Sequence, residues 1–148
     1  MNGINLFTIG FTQKSAQQFF YSIKSSGIKK VFDIRLKNVS QLSGFAKKND
    51  LKYFLKILCE CEYFHLPLLA PTKELLDNYK KKQMTWEEYE DEFNTIITNR
   101  KIENLVSPVE LDYSCFLCSE LKADHCHRRL VADYLNKKMS KSIIIKHL

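Results

Sequence analysis

Short apolar runs alternate with amphipathic segments along this chain, and that order constrains its fold more than any other feature. The segments between the runs carry apolar residues at the spacing of helices with one buried face. Strands that alternate with helices favour a parallel sheet covered by helices on both faces. We therefore predict an α/β fold with three α/β/α layers and a mostly parallel sheet of about five strands. The predicted strands are residues 5–9, 28–34, 63–66, 113–118 and 143–145.

A helical insertion is predicted between the third and fourth strands. Residues 72–83 and 85–99 indicate two consecutive helices. Thr85 and Glu88 have the spacing of a capping box, which marks the start of the second one. A chain of 148 residues with 45% hydrophobic content suits a single α/β domain over residues 1–148.

The composition predicts a cytoplasmic protein with reduced thiols. No stretch approaches the roughly 20 apolar residues of a membrane span. The first residues lack the basic-then-apolar layout of a signal peptide. The five cysteines are an odd number, and their spacing is not that of a small secreted domain. We therefore expect no membrane contact and no structural disulfide.

The net charge of +6 favours an anionic partner without identifying it. Only four of the 23 basic residues are Arg, and the lysines are spread along predicted helices. Three arginines, at positions 35, 128 and 129, lie at a predicted strand end or among cysteines and histidines. Because guanidinium groups bind phosphate and carboxylate bidentately, their placement says more than the net charge. An anionic small molecule or a nucleic acid is the expected partner, and the oligomeric state is left open.

The segment from Cys118 to Arg129 is where chemistry or binding is expected. It contains two thiols, two imidazoles and two guanidinium groups between a predicted strand and a predicted helix. Ligands of open α/β sheets bind at such junctions, beyond the carboxyl ends of the strands. Parallel strands should bring this segment together with polar residues at the other strand ends. These residues are Gly10, Thr12, Asp33, Arg35 and His65.

The candidate catalytic residues are Cys126, Glu120, Asp33 and Cys118. A cysteine at a helix start beside His and Arg would have a lowered thiol pKa, so Cys126 is the candidate nucleophile or redox thiol. The alternative is that it packs as a small apolar residue. Glu120 or Asp33 would be the acid/base, although Asp33 could equally pair with Arg35. Burial at the strand end explains Cys118 more easily than catalysis does.

The candidate substrate-binding residues would hold a phosphate or a carboxylate. Free N–H groups and the positive dipole end of the predicted helix favour an anion there. Adjacent residues diverge by about 100° on a helix, so at most one of Arg128 and Arg129 should face the site. The full set is Gly10, Thr12, Arg35, His65, His127, Arg128 and Arg129.

A metal site is a competing interpretation of the same segment. Cys118, Cys126 and His127 could ligate an ion, together with Glu120 or His125. Cys118 and Cys126 enclose seven residues, however, whereas structural zinc usually takes cysteines about two to four residues apart. We therefore predict no metal ligands, and the sequence identifies no cofactor.

Several short motifs, in this order, resemble the bacterial and archaeal family called domain of unknown function 488. They are T-I-G-F-T at residues 8–12, D-I-R at 33–35, H-L-P at 65–67, P-T-K-E-L at 71–75, W-E-E-Y-E at 86–90 and C-x-E with C-H-R within 118–128. The resemblance covers most of the chain. It implies an α/β fold with a cleft at the strand ends. It also implies an action on nucleotides or nucleic acids, which are the suspected substrates of the family's members. Thr12 replaces the family's usual Ser, and residues 36–45 lack its usual Pro, which implies a different ligand loop here.

Together these observations support three functional hypotheses. The first is an enzyme, dependent on cysteine, that acts on an anionic, phosphate-bearing substrate, with a nucleotide or nucleic acid favoured. The second is a non-catalytic module that senses a nucleotide or binds nucleic acid in the same cleft. The third is a protein that binds metal through Cys118, Cys126 and His127. Only the first requires an ionisable, accessible thiol at Cys126.

Overall fold

A computed structural model describes residues 3–37, 47–119, 125–139 and 142–148. Its five strands form one all-parallel sheet in the order β3-β2-β4-β1-β5, which confirms the predicted fold class. All five predicted strands are present, although their ends differ by a few residues. The strands are β1 (Ile4–Gly10), β2 (Lys30–Asp33), β3 (Glu62–His65), β4 (Ser114–Cys118) and β5 (Ile143–His147).

The helices that connect the strands mostly follow the predicted pattern. They are α1 (Ala16–Ser25), α2 (Lys48–Cys59), α3 (Lys73–Lys80), α4 (Trp86–Arg100), α5 (Pro108–Leu111) and α6 (His127–Lys138). The expected capping box of Thr85 and Glu88 starts α4. The insertion between β3 and β4 also contains α5, which the pattern did not reveal. Its four residues are too few to show helical periodicity, although Ser107 and Glu110 form a capping box there.

Two apolar layers lie on opposite faces of the sheet. Because side chains alternate along a strand, Phe7 and Ile9 of β1 face the layer that α1 and α2 cover, whereas Leu6 faces the layer that α3 to α6 cover. Phe116 of β4 joins Leu6 in the second layer. Burial of both faces explains why the strands read as apolar runs. None of the described helices is long and apolar enough to cross a membrane.

The order of the strands opens a crevice at the end of β4. The chain passes from β1 through β2 to the edge strand β3, and then returns to place β4 between β2 and β1. The segments that leave β1 and β2 lead to the α1–α2 layer, whereas the segment that leaves β4 leads to α6 on the other face. Loops that diverge in this way leave room for a ligand between them.

Candidate active site at the carboxyl edge of the sheet

The strands bring most of the predicted site residues to one edge of the sheet. Gly10 lies beside Cys118 in the register of β1 and β4, and Asp33 lies beside His65 in that of β2 and β3. Thr12 joins the loops after β1 and β4, since its backbone N–H donates to the Ser119 carbonyl at 3.0 Å. Its hydroxyl donates to the same carbonyl. The residues therefore converge as the parallel topology requires, while their roles stay predictions.

Asp33 and Arg35 form a buried ion pair at the end of β2. The guanidinium of Arg35 donates from Nε to Asp33 Oδ1 at 2.8 Å and from Nη2 to Oδ2 at 2.7 Å. The Arg35 backbone N–H and the Tyr63 hydroxyl donate to the same carboxylate. Arg35 also lies over the Phe11 ring, 5.2 Å from its centroid. With four donors and no exposed surface, Asp33 has the surroundings of a group that orients Arg35.

Two histidines hold the backbone that follows β2. A carbonyl only accepts, so each ring carries its hydrogen on Nε2: His65 donates to the Arg35 carbonyl at 2.8 Å, and His127 to the Ile34 carbonyl at 2.7 Å. Burial lowers the pKa of His127 to about 4, and the charge of Arg128 adds to this effect. The His127 ring is therefore neutral at pH 7. Both imidazoles fix the position of Arg35 at the edge.

The sulfur atoms of Cys118 and Cys126 are in contact. Cys118 ends β4 and Cys126 is the N-cap residue of α6, so the pair joins the strand to the helix. Their Cα atoms are 7.8 Å apart, beyond the roughly 4.4–6.8 Å of most disulfides. The backbone therefore suits two facing thiols that can bond after a small shift. This pairing corrects the expectation of no structural disulfide, which rested on the number and spacing of the cysteines.

The two adjacent arginines of α6 point in different directions. Arg128 is 1% exposed, and its Nη1 lies 3.6 Å from the Cys118 sulfur. Arg129 instead forms ion pairs with Glu90 of α4 at 3.3 Å and with Asp133 of its own helix at 3.2 Å. The divergence expected at adjacent helical positions is thus observed, and Arg128 is the one beside the thiols.

A cavity of about 830 Å³ opens at this edge, in front of the cysteine pair. The predicted site residues in its wall are Thr12, Arg35, Cys118, Cys126 and His127. A second part of the wall comes from α3, the start of α4 and the turn between them, and it combines lysines with aromatic rings. Those residues are Lys73, Lys80, Lys82, Tyr79, Trp86 and Tyr89. The cavity therefore offers positive charge and flat apolar surface beside two thiols.

Comparison with known proteins gives one result. The family described as "Domain of unknown function DUF488" matches residues 15–135, which is most of the chain. The chain belongs to this family. No curated protein and no solved structure is significantly similar to it. The match to DUF488 includes the D-I-R, H-L-P and C-H-R segments but begins after residues 8–12.

One candidate residue and the competing metal interpretation remain apart from this geometry. Glu120, the candidate acid/base, lies outside the described residues. A metal site also has no support among residues 3–37, 47–119, 125–139 and 142–148, where no group of three or more His, Cys, Asp or Glu side chains could hold an ion. Nε2 of His127, one of the proposed ligands, donates to a carbonyl instead.

Several residues of this DUF488 site were missed by the sequence analysis. Tyr63 was assigned only to a strand, yet its hydroxyl donates to Asp33 at 2.5 Å. Its signal was a polar-tipped aromatic residue close to a predicted strand end. The motif W-E-E-Y-E includes Trp86 without assigning it a role, yet this residue lines the cavity and stacks on His125, with ring centroids 4.8 Å apart. No sequence signal placed Lys37 or the α3 lysines there.

Proposed function

We propose that this protein is a cysteine-dependent enzyme that binds a phosphate-bearing aromatic ligand, with a nucleotide favoured, at the carboxyl edge of its sheet. The observation that carries the proposal is the cavity of about 830 Å³, whose wall combines cations, aromatic rings and a cysteine pair. A cleft with a few convergent polar groups is the usual form of a small-molecule site.

The charges around the cavity support an anionic group in the ligand. Arg35, Lys37 and three lysines of the α3 region line it, and Asp77 is the one carboxylate among its described lining residues. Arg128 lies behind the cysteines, and burial together with the Arg128 charge lowers the pKa of Lys14 nearby. A phosphate would relieve this concentration of positive charge.

The start of α6 supports the same conclusion. Cys126 makes no side-chain capping hydrogen bond, and the first turn of this 12-residue helix contains no acidic residue. Its first N–H groups and the positive end of the helix dipole therefore favour an anion beside Cys126. Arg35 and His127 also line the cavity.

The aromatic wall favours a flat ring elsewhere in the ligand. Trp86 stacks on Tyr89 with centroids 5.1 Å apart, and Tyr79 lies 4.9 Å from Tyr89. The indole of Trp86 also stacks on the exposed His125 ring, which indicates that it can hold a planar group. Nucleobases bind to such aromatic surfaces through stacking. A mononucleotide would place its base on these rings and its phosphate beside the cations that line the cavity.

The cysteine pair favours an enzyme over the alternatives, which are a nucleotide-sensing or nucleic-acid-binding module and a metal protein that uses Cys118, Cys126 and His127. A module needs only the cations and rings. A cysteine-dependent enzyme also needs an ionisable thiol, and the positive charge of Arg128 beside Cys118 favours the thiolate form. We place the protein in the cytoplasm, since free Cys59, Cys61 and Cys115 suit a reducing compartment.

Ligand binding can be followed through Trp86, because it is the only tryptophan of the chain. Adenosine 5′-monophosphate and uridine 5′-monophosphate should change its fluorescence with a Kd roughly tenfold lower than those of adenosine and of inorganic phosphate. The reason is that only a nucleotide has both a base for the aromatic rings and a phosphate for the cations. Equal affinity for adenosine and its monophosphate would contradict an anionic subsite.

Two lysine variants separate the cavity from net charge. Lys37→Ala should weaken nucleotide binding about fivefold, whereas Lys56→Ala, on the exposed surface of α2, should leave it unchanged. Both substitutions remove one positive charge. If both weaken binding alike, the interaction is general electrostatics. Cys126→Ser should retain the nucleotide affinity, because it changes the reactive group and not the cations.

A further inference from the structure

The cysteine pair points to a chemistry that ligand binding does not require. We propose that Cys126 and Cys118 form a two-electron dithiol/disulfide couple that reduces small disulfides with anionic groups. The preference for anionic disulfides rests on the proposed function of the cavity. The dithiol/disulfide couple itself rests only on the positions of the two cysteines. The other three cysteines are placed differently, since Cys59, Cys61 and Cys115 are free thiols outside the cavity wall.

Position is the first argument for the couple. The two sulfurs are in contact although eight positions separate the residues, and both residues line the cavity. A thiolate in a cavity wall can attack a substrate disulfide, and a second thiol in contact with it can resolve the mixed disulfide without a large rearrangement. The Cα separation of 7.8 Å suits the dithiol form.

The surroundings assign different roles to the two sulfurs. Cys126 lines the cavity with 3% of its surface exposed, and as the N-cap residue of α6 it lies near the first N–H groups of the helix. Those dipoles favour its thiolate. Cys118 lies deeper, at the end of β4, with the guanidinium of Arg128 3.6 Å from its sulfur. Cys126 is therefore the attacking thiol and Cys118 the resolving one.

The exchange balances without an additional reagent. The Cys126 thiolate attacks one sulfur of the disulfide R–S–S–R, forms a mixed disulfide with it, and releases the other half as a thiolate. The Cys118 thiolate then attacks the Cys126 sulfur, which breaks the mixed disulfide and releases the second half. The protein loses two electrons and two protons and gains the Cys118–Cys126 bond, while the substrate becomes two thiols. A dithiol reductant returns the protein to its starting state.

Oxidised glutathione is a suitable probe, because it is a disulfide with several carboxylates. The reduced protein should release two molecules of glutathione and lose two hydrogens, as measured by intact mass, and peptide mapping should locate the new bond between Cys118 and Cys126. Cys118→Ser should release one molecule and keep a glutathione adduct on Cys126. Cys126→Ser should release none, and Cys115→Ser should behave like the unchanged protein.

Several outcomes overturn the proposal. An adduct that accumulates on Cys118 in Cys126→Ser overturns the assigned order, and a bond mapped to Cys59, Cys61 or Cys115 overturns the couple. The mapping of the unchanged protein decides this even where a variant fails to fold. Absence of nucleotide binding leaves these results intact, so the two proposals fail separately.

The charge preference has its own measurement. Cystamine is a disulfide with two positive charges, and the folded, reduced protein should react with it at least about tenfold more slowly than with oxidised glutathione, because the cavity wall repels it. In urea the two probes should react at similar rates with the unfolded protein. Equal rates with the folded protein would overturn the anionic preference.

Discussion

The apolar layer under α1 and α2 and the carboxyl edge of the sheet both contain two buried cysteines, but they give the thiols opposite surroundings. Cys61 and Cys115 pack among apolar side chains. Burial raises the pKa of Cys61 to about 12 and that of Cys115 well above its ordinary value. Cys118 and Cys126 instead face each other in a cavity wall, near the guanidinium of Arg128. The two regions thus differ in the surroundings of the same side chain, and the proposed chemistry uses only the pair at the edge.

Buried charged side chains are distributed between the two regions as unevenly as the two kinds of cysteine surroundings. The charged side chains that are buried among the described residues are Asp33, Arg35 and Arg128, and all three lie at the carboxyl edge. Desolvation of such groups is costly, and replacing a buried ion pair by apolar residues often stabilises a protein. Charges retained at such a place indicate a site rather than a contribution to stability. We therefore propose that the α1–α2 layer serves stability and that the edge serves the proposed chemistry.

Thiol labelling tests this difference most directly. In the reduced, folded protein, iodoacetamide at pH 7.5 should modify Cys126 about a thousandfold faster than Cys61, because a thiol pKa of about 12 leaves a very small thiolate fraction. Mass spectrometry of the digested protein gives the rate at each cysteine. All five cysteines should react alike in urea. Equal rates for Cys126 and Cys61 in the folded state would remove the distinction between the two regions.

The buried ion pair of the edge has the next largest expected effect. Asp33→Asn should lower the free energy of unfolding by about 3–5 kcal/mol, because it leaves the Arg35 charge buried without its carboxylate. Urea denaturation followed by circular dichroism measures the change. The control is Asp77→Asn, which breaks the exposed ion pair with Lys73 and should change stability by less than about 0.5 kcal/mol. Similar losses in both variants would mean that burial of the pair has no special weight.

The fold and the convergence of the site could be predicted because both follow from local pattern. Apolar runs and capping pairs define the strands and helices, and parallel strands bring their carboxyl ends to one edge. Gly10, Asp33, His65 and Cys118 therefore meet at one edge as expected, although successive members are 23, 32 and 53 positions apart along the chain.

The cavity could not be predicted, because its second wall depends on packing between helices. Tyr79 and Trp86 are apolar positions of two amphipathic helices by their pattern, and only the packing of α3 on α4 and of α4 on α6 brings them to the cavity of Cys126. The bond from Tyr63 to Asp33 depends in the same way on the register between β3 and β2. A one-residue change in that register would turn the tyrosine to the other face.

Protonation of His127, at the carboxyl edge, should make the stability of the protein depend on pH. Its pKa is about 4 in the folded protein, against roughly 6.5 when unfolded, so between these values the unfolded state binds more protons. Its contribution to stability is complete above pH 6.5 and is lost as the pH falls towards 4. From pH 7 to pH 5 the free energy of unfolding should fall by about 2 kcal/mol from this group. In His127→Gln, urea denaturation at pH 7 and at pH 5 should show that this loss of about 2 kcal/mol is absent.

The exposed His125 is the matched control for this prediction. His125→Gln should leave the pH dependence of the unchanged protein in place, because this ring lies at the surface and stacks on Trp86. If His127→Gln keeps the full loss between pH 7 and pH 5, other groups cause the acid sensitivity, and the buried neutral imidazole has no part in it.

The smallest expected effect comes from the arginine that lies next to the edge but faces away from it. Arg129 is 28% exposed and pairs with Glu90 and Asp133, so Arg129→Ala should lower the free energy of unfolding by less than about 1 kcal/mol. Nucleotide binding and glutathione release should stay unchanged.

Arg128→Lys keeps the charge but withdraws the planar donor from the Cys118 sulfur, and should slow the resolving step, measured as a longer-lived glutathione adduct on Cys126. If Arg129→Ala slows that step as much, the field of the whole helix governs the thiols, and the separation of the edge from its surroundings is less sharp than the geometry indicates.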